Sequence, residues 1–92
     1  MLIYVSCDWD DVETARKITH ELQIDDMENC YICPVLAFSH LVDKETTEKE
    51  KTEICLDLLS VCDMLVVYAD SPLWETEEIQ FANKVNMEVF YI

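Results

Sequence analysis

Within "YADSPLWETEEIQFANKV", Asp70, Glu75, Glu77 and Glu78 place four carboxylates where an apolar run gives way to a helical pattern. A carboxylate so placed can serve as a nucleophile or a general acid. It can equally be the solvated start of a helix, favoured by the positive end of the helix dipole. A second group, "CDWDD", sets Asp8 and Asp10 on either side of Trp9, a combination able to hold a divalent cation or stack a base. Asp10 is expected to be a helix cap, with Glu13 three residues on, whereas Asp8 and Trp9 stand at a strand end and are expected to touch a ligand. Cys30 and Cys33 form a C-x-x-C with no second pair and no helix expected to start directly after it, so neither zinc nor redox chemistry is assigned. No metal or cofactor is expected. His40, in "FSHL", lies beside Phe38 and Ser39, where it could hydrogen-bond and stack with a ligand or simply order its loop. His20, late in a helical stretch, is an ordinary cation near a helix end.

The rest of the chain bounds what these residues can do. With 92 residues there is room for one domain, 1–92, burying ~60–65% of the unfolded chain's surface. Twenty acidic residues against six basic ones give a net charge of −14, which argues against direct binding of nucleic acid or an anionic membrane. The same charge makes a neutral nucleoside or a cationic base easier to accommodate than a bare polyphosphate. The apolar start has no basic flank and soon runs into acid, so it reads as neither signal peptide nor membrane span, and a cytoplasmic protein is expected. Five cysteines then read as reduced thiols. Glycine is absent altogether, which excludes glycine-rich phosphate loops and leaves turns to Asn and Asp. Asn29 and Asn86 are the expected helix C-caps.

Several elements must position the candidate residues. Leu2–Ser6 reads as a buried strand, and Val12, Ala15, Ile18 and Leu22 recur at helical spacing to about Leu22. "CYICPV" predicts a second strand stopped by Pro34, followed by "LAFSHLVDKETT" as a long connecting loop. From about Thr47, Ile54, Cys55, Leu58, Leu59 and Cys62 make one helical stripe, with Cys55 and Cys62 as core. "MLVVYA" and "MEVFYI" are continuous apolar runs of the kind found in strands covered on both faces. The order predicts an α/β domain: a small open parallel sheet of about four strands flanked by about three helices, Rossmann- or flavodoxin-like. In such sheets ligands sit beyond the strand carboxyl ends, which here gathers residues 6–10, 34–40 and 69–74 at one edge. Ser6, Asp8, Trp9, Phe38, Ser39, His40, Ser71 and Trp74 are therefore the candidate ligand contacts.

Taken in order, "LIYVSCDWDD", "YICPVLAFSHL", "LLSVCDMLVVYADS" and "EEIQFANKVNMEVFYI" resemble the small nucleoside 2-deoxyribosyltransferase-like proteins, a family with many short phage and bacterial members. The resemblance covers nearly the whole chain. It implies that Glu78, in the Glu-Ile-x-x-Ala pattern, is the nucleophile that attacks the anomeric carbon, and that Asp70 contacts or protonates the base. It implies further that the segment from Ser6 lies against the ligand and that neighbouring subunits complete the site, hence a homo-oligomer. Where the family usually carries glycines, this chain has Cys7, residues 72–74 and Asn86; Leu73 and Trp74 add bulk beside the expected nucleophile.

Three functions compete. One is a binding module for a nucleoside-like or nucleotide-derived small molecule, able to sequester a signalling nucleotide. Another is a deoxyribosyltransferase or N-ribosidase using Glu78, since a carboxylate can stabilise and trap an oxocarbenium-like transition state. The last is an acidic interaction protein aimed at a basic partner.

Overall fold

The computed structural model describes residues 1–39, 43, 45–68 and 77–92. Four strands, β1 (Leu2–Ser6), β2 (Cys30–Ile32), β3 (Met64–Val67) and β4 (Glu88–Tyr91), form one parallel sheet in the order β2-β1-β3-β4. All three pairings are parallel, with Tyr4 opposite Ile32 on one side and Leu65 on the other. The chain moves outward from β1 to β2 and then crosses back to β3. The carboxyl ends of β1 and β3 therefore flank the point where strand order reverses, the usual ligand position in open α/β sheets.

Side-chain alternation along the strands divides the core in two. Tyr4, Leu65 and Val67 face one side and pack with Cys55, Leu59, Cys62 and Ala82 from helices α3 (Glu48–Leu59) and α4 (Glu77–Lys84) and the turn after α3. Val5 faces the other side and packs with Cys7, Ala15, Cys33 and Val35 against α1 (Val12–Asp25) and α2 (Pro34–Ala37). Trp9 is partly buried and touches both clusters, so it pins the loop after β1 to the two layers at once.

Local chemistry explains most boundaries and corrects several. The cap of α1 is Asp11 rather than Asp10, its carboxylate accepting from the Thr14 amide at 3.1 Å, and the helix continues past Leu22 to Asp25. α3 begins as expected at Thr47, which forms a full capping box with Glu50. Residues 34–37, expected as strand end and loop, form the short helix α2, because a proline at the first helical position sacrifices only an N–H that would lack a partner anyway. This makes four helices among the described residues.

The glycine-free turns are closed in two different ways. After α1, Asn29 does not act as a left-handed cap; its amide donates to Asp26 at 2.7 Å, while the Gln23 amide reaches the Asn29 carbonyl at 2.7 Å. Asn86 does adopt the left-handed conformation, at φ 59°, and among the described residues no other shows a positive φ. The Met87 amide donates to the Ala82 carbonyl and the Asn86 amide to the Asn83 carbonyl, the double closure that ends α4 and starts β4. Asn86→Ala is therefore expected to lower the unfolding free energy by about 1 kcal/mol while Asn86→Gly maintains it. Urea unfolding checks this, and an alanine variant as stable as the parent contradicts it.

Candidate functional site

Tyr4 and Ser6 lie two residues apart on β1, so both side chains leave the sheet on the α3/α4 side. Above them stands the first turn of α4, where Glu78 is the second residue. The Tyr4 hydroxyl donates to Glu78 Oε2, and the Ser6 hydroxyl donates to Glu78 Oε1 at 2.9 Å. Each carboxylate oxygen is thus held by its own donor, which defines the plane and direction of the group.

Burial pushes the Glu78 carboxyl above its ordinary value of 4.5, and the hydrogen bonds from Tyr4 and Ser6 pull against that shift. Tyr4 is fully buried, and burial followed by the Glu78 charge holds its phenol well above its ordinary range, so it remains a donor. The Cys55 thiol packs in the same cluster as Tyr4 and Trp9, and burial raises it to about 11. It is a packing group at neutral pH.

Glu78 opens onto a cleft of about 360 Å³. Its floor is the end of β1 with Ser6 and Cys7, one wall is the loop 8–10, and the opposite wall is the α3 face carrying Glu48, Lys51, Thr52 and Cys55. Lys51 bridges to Glu48 at 3.4 Å and lies 5.9 Å from the centre of the Trp9 ring. Cys7 and Cys33 are free buried thiols packed in the same core cluster on the α1/α2 side of the sheet. Interaction with Cys7, with support from the Leu36 and Val35 amides, pulls the Cys33 thiol below its ordinary value, while Cys7 is raised.

The cleft brings together Ser6, Asp8, Trp9 and Glu78 from the sequence-derived candidates, and Asp10, released from capping, joins them. Phe38 and Ser39 do not line it: Phe38 ends α2 and the Ser39 hydroxyl donates to the Leu36 carbonyl at 3.4 Å. Asp70, Ser71, Trp74 and His40 lie outside the described residues. Tyr4 was not among the candidates, although a tyrosine in a central strand needs a partner for its hydroxyl, and that need was the available signal. A helix does begin directly after Cys33, contrary to expectation; Cys33 is buried in the cluster with Cys7, whereas Cys30 is exposed. Among the described residues no group of three or more His, Cys, Asp or Glu side chains is arranged to hold a metal ion.

No family model, curated protein or solved structure matches the chain. Among the described residues no helix is long and apolar enough to cross a membrane.

A raised carboxyl pKa in the folded state means the folded chain holds the Glu78 proton more tightly than the unfolded chain does. Ionisation therefore costs stability as pH rises above the unfolded value near 4.5, and the cost is absent below it. Glu78→Gln is expected to melt higher than the parent at pH 7, with the difference vanishing as pH falls below 4.5. A glutamine variant that is less stable at pH 7 contradicts this. Tyr4→Phe leaves one oxygen of a partly buried carboxylate without its donor and is expected to cost about 1–3 kcal/mol in chemical unfolding; a neutral result would deny the hydrogen bond its role.

Proposed function

We propose that this domain binds a nucleoside-like or nucleotide-derived small molecule in the cleft at the carboxyl ends of β1 and β3. The observation that carries the reading is the partly buried Glu78 carboxylate, oriented by Tyr4 and Ser6 at the mouth of that cleft. An acid removed from water at a net cost is poorly explained as a helix start, because Glu77, one residue earlier, meets the helix dipole while remaining exposed. The cleft volume is within the range of small-molecule sites, and Trp9 supplies an aromatic surface beside the acid. Ser6 and Glu78 stand where a sugar hydroxyl could hydrogen-bond, with the base directed toward Trp9.

The clamped geometry also favours a second, catalytic reading. A carboxylate with its plane set by two donors is prepared to attack an anomeric carbon: the oxygen–carbon bond forms, the glycosidic C–N bond breaks, and the base leaves with the electron pair and takes a proton. Asp70 is the candidate for that proton on the strength of the resemblance to the deoxyribosyltransferase-like family.

Thermal-shift titration against nucleosides, nucleotides and ADP-ribose tests the binding reading. At least one nucleoside-type ligand is expected to raise the melting temperature, with the shift lost in Glu78→Ala; flat curves across the set would refute it. Base release from the same nucleosides separates the two readings, since turnover abolished by Glu78→Ala makes the domain an enzyme and binding without release makes it a receptor.

A further inference from the structure

The cleft carries a charge pattern that narrows the ligand further. Asp8 and Asp10 stand on one wall and Glu48 on the other, with Glu77 and Glu78 at the α4 end; Lys51 is the one cationic side chain among the described lining residues. Three helices start at this cleft; α2 is a single turn of four residues opened by Pro34, and neither of the two longer ones offers a vacant anion site. The first turn of α3 already holds Glu48 and Glu50, and that of α4 holds Glu77 and Glu78. A phosphate brought here would meet carboxylates at both helix ends.

Lys51 shows what the cleft does accept. Its ammonium lies 3.4 Å from Glu48 and 5.9 Å from the centre of the Trp9 ring, so the aromatic surface and the acidic rim already hold one positive charge. Lysine side chains are long and rotatable, and Lys51 can leave this position for solvent. The Trp9 ring is less adjustable, because it is wedged against both core clusters.

We infer that the cleft selects an organic cation, a nucleoside-like molecule with a protonated or N-alkylated base or an amine, which replaces the Lys51 ammonium over Trp9 between the acidic walls. The inference rests on the proposed ligand-binding role of the cleft and specifies the charge of its ligand. The ring stacks on the cationic base, Asp8 and Asp10 stand near its positive charge, and Glu78 remains available to the sugar.

Calorimetric titration of the full chain at pH 7 and low salt, with three probes of similar shape, tests this. The probes are 1-methyladenosine as the cation, adenosine as the neutral molecule and adenosine 5′-monophosphate as the anion. The cation is expected to bind about three- to thirtyfold more tightly than adenosine. The monophosphate should bind most weakly, and added salt should shrink the cation's advantage. Lys51→Met removes the internal competitor and should tighten 1-methyladenosine binding, while Trp9→Leu should erase the preference. Circular dichroism reports whether the Trp9 variant folds; if it does not, Lys51→Met, a change on the helix face, carries the test. Equal binding of adenosine and 1-methyladenosine, unmoved by Lys51→Met, overturns the inference and leaves the nucleoside reading standing. Tightest binding by the monophosphate overturns it as well. No binding by any of the three overturns the inference, and the thermal-shift set of other nucleosides, nucleotides and ADP-ribose then decides the reading beneath it.

Discussion

The site depends on one interaction, the grip of Tyr4 and Ser6 on Glu78. It joins a central strand to the first turn of the last helix, across a separation of more than seventy positions in the chain. The grip is possible because β1 is a central strand with a helix layer on each face, and because alternation sends residues 4 and 6 to the same face. Without the two hydroxyls, the Glu78 charge would have no compensation for the water it loses.

That arrangement works against stability, and the rest of the fold absorbs the cost. The α3/α4 layer buries Leu59, Leu65 and Val67 almost completely against Tyr4, where truncating a leucine to alanine typically costs about 2–5 kcal/mol. Among the described residues, turns are closed by side chains and by the left-handed Asn86 instead of glycine. A small, highly acidic domain has little stability to spare. Retaining an acidic group in a half-dry position is therefore best understood through what the group meets in the cleft. The same reasoning accounts for Trp9, a large aromatic placed at the junction of two layers and left partly open to the cleft.

The architecture was readable from the chain because its signals are local. Apolar runs marked the four strands, the stripe through Cys55 and Leu59 marked α3, and Thr47 and Asn86 marked their helix ends. The failures also have local causes. Asp10 and Asp11 are chemically equivalent cap candidates, and the capping choice between neighbours depends on how the loop leaves β1. Pro34 ended a strand as expected but also opened a helix, since proline suits both positions. In the candidate cleft, Ser6, Asp8, Trp9 and Glu78 coincide with residues singled out in the sequence by strand-end position or, for Glu78, by the resemblance. Tyr4, Lys51, Thr52 and Cys55 did not, because a residue in a strand interior or on a helix stripe looks like core or surface until the neighbouring element is placed. Phe38 and Ser39 were assigned to the ligand edge by proximity in sequence, and the turn into α2 carries them away from it.

The central claim is that Glu78 is a functional carboxylate kept out of water by design of the fold, and its titration measures that directly. Selective observation of the Glu78 side-chain carbonyl by 13C NMR across pH should show a midpoint above the ordinary 4.5, moved higher still by Tyr4→Phe as a hydrogen bond that favours the charged form is lost. A midpoint at or below 4.5, indifferent to Tyr4, would make Glu78 an ordinary helix-start glutamate and contradict the account.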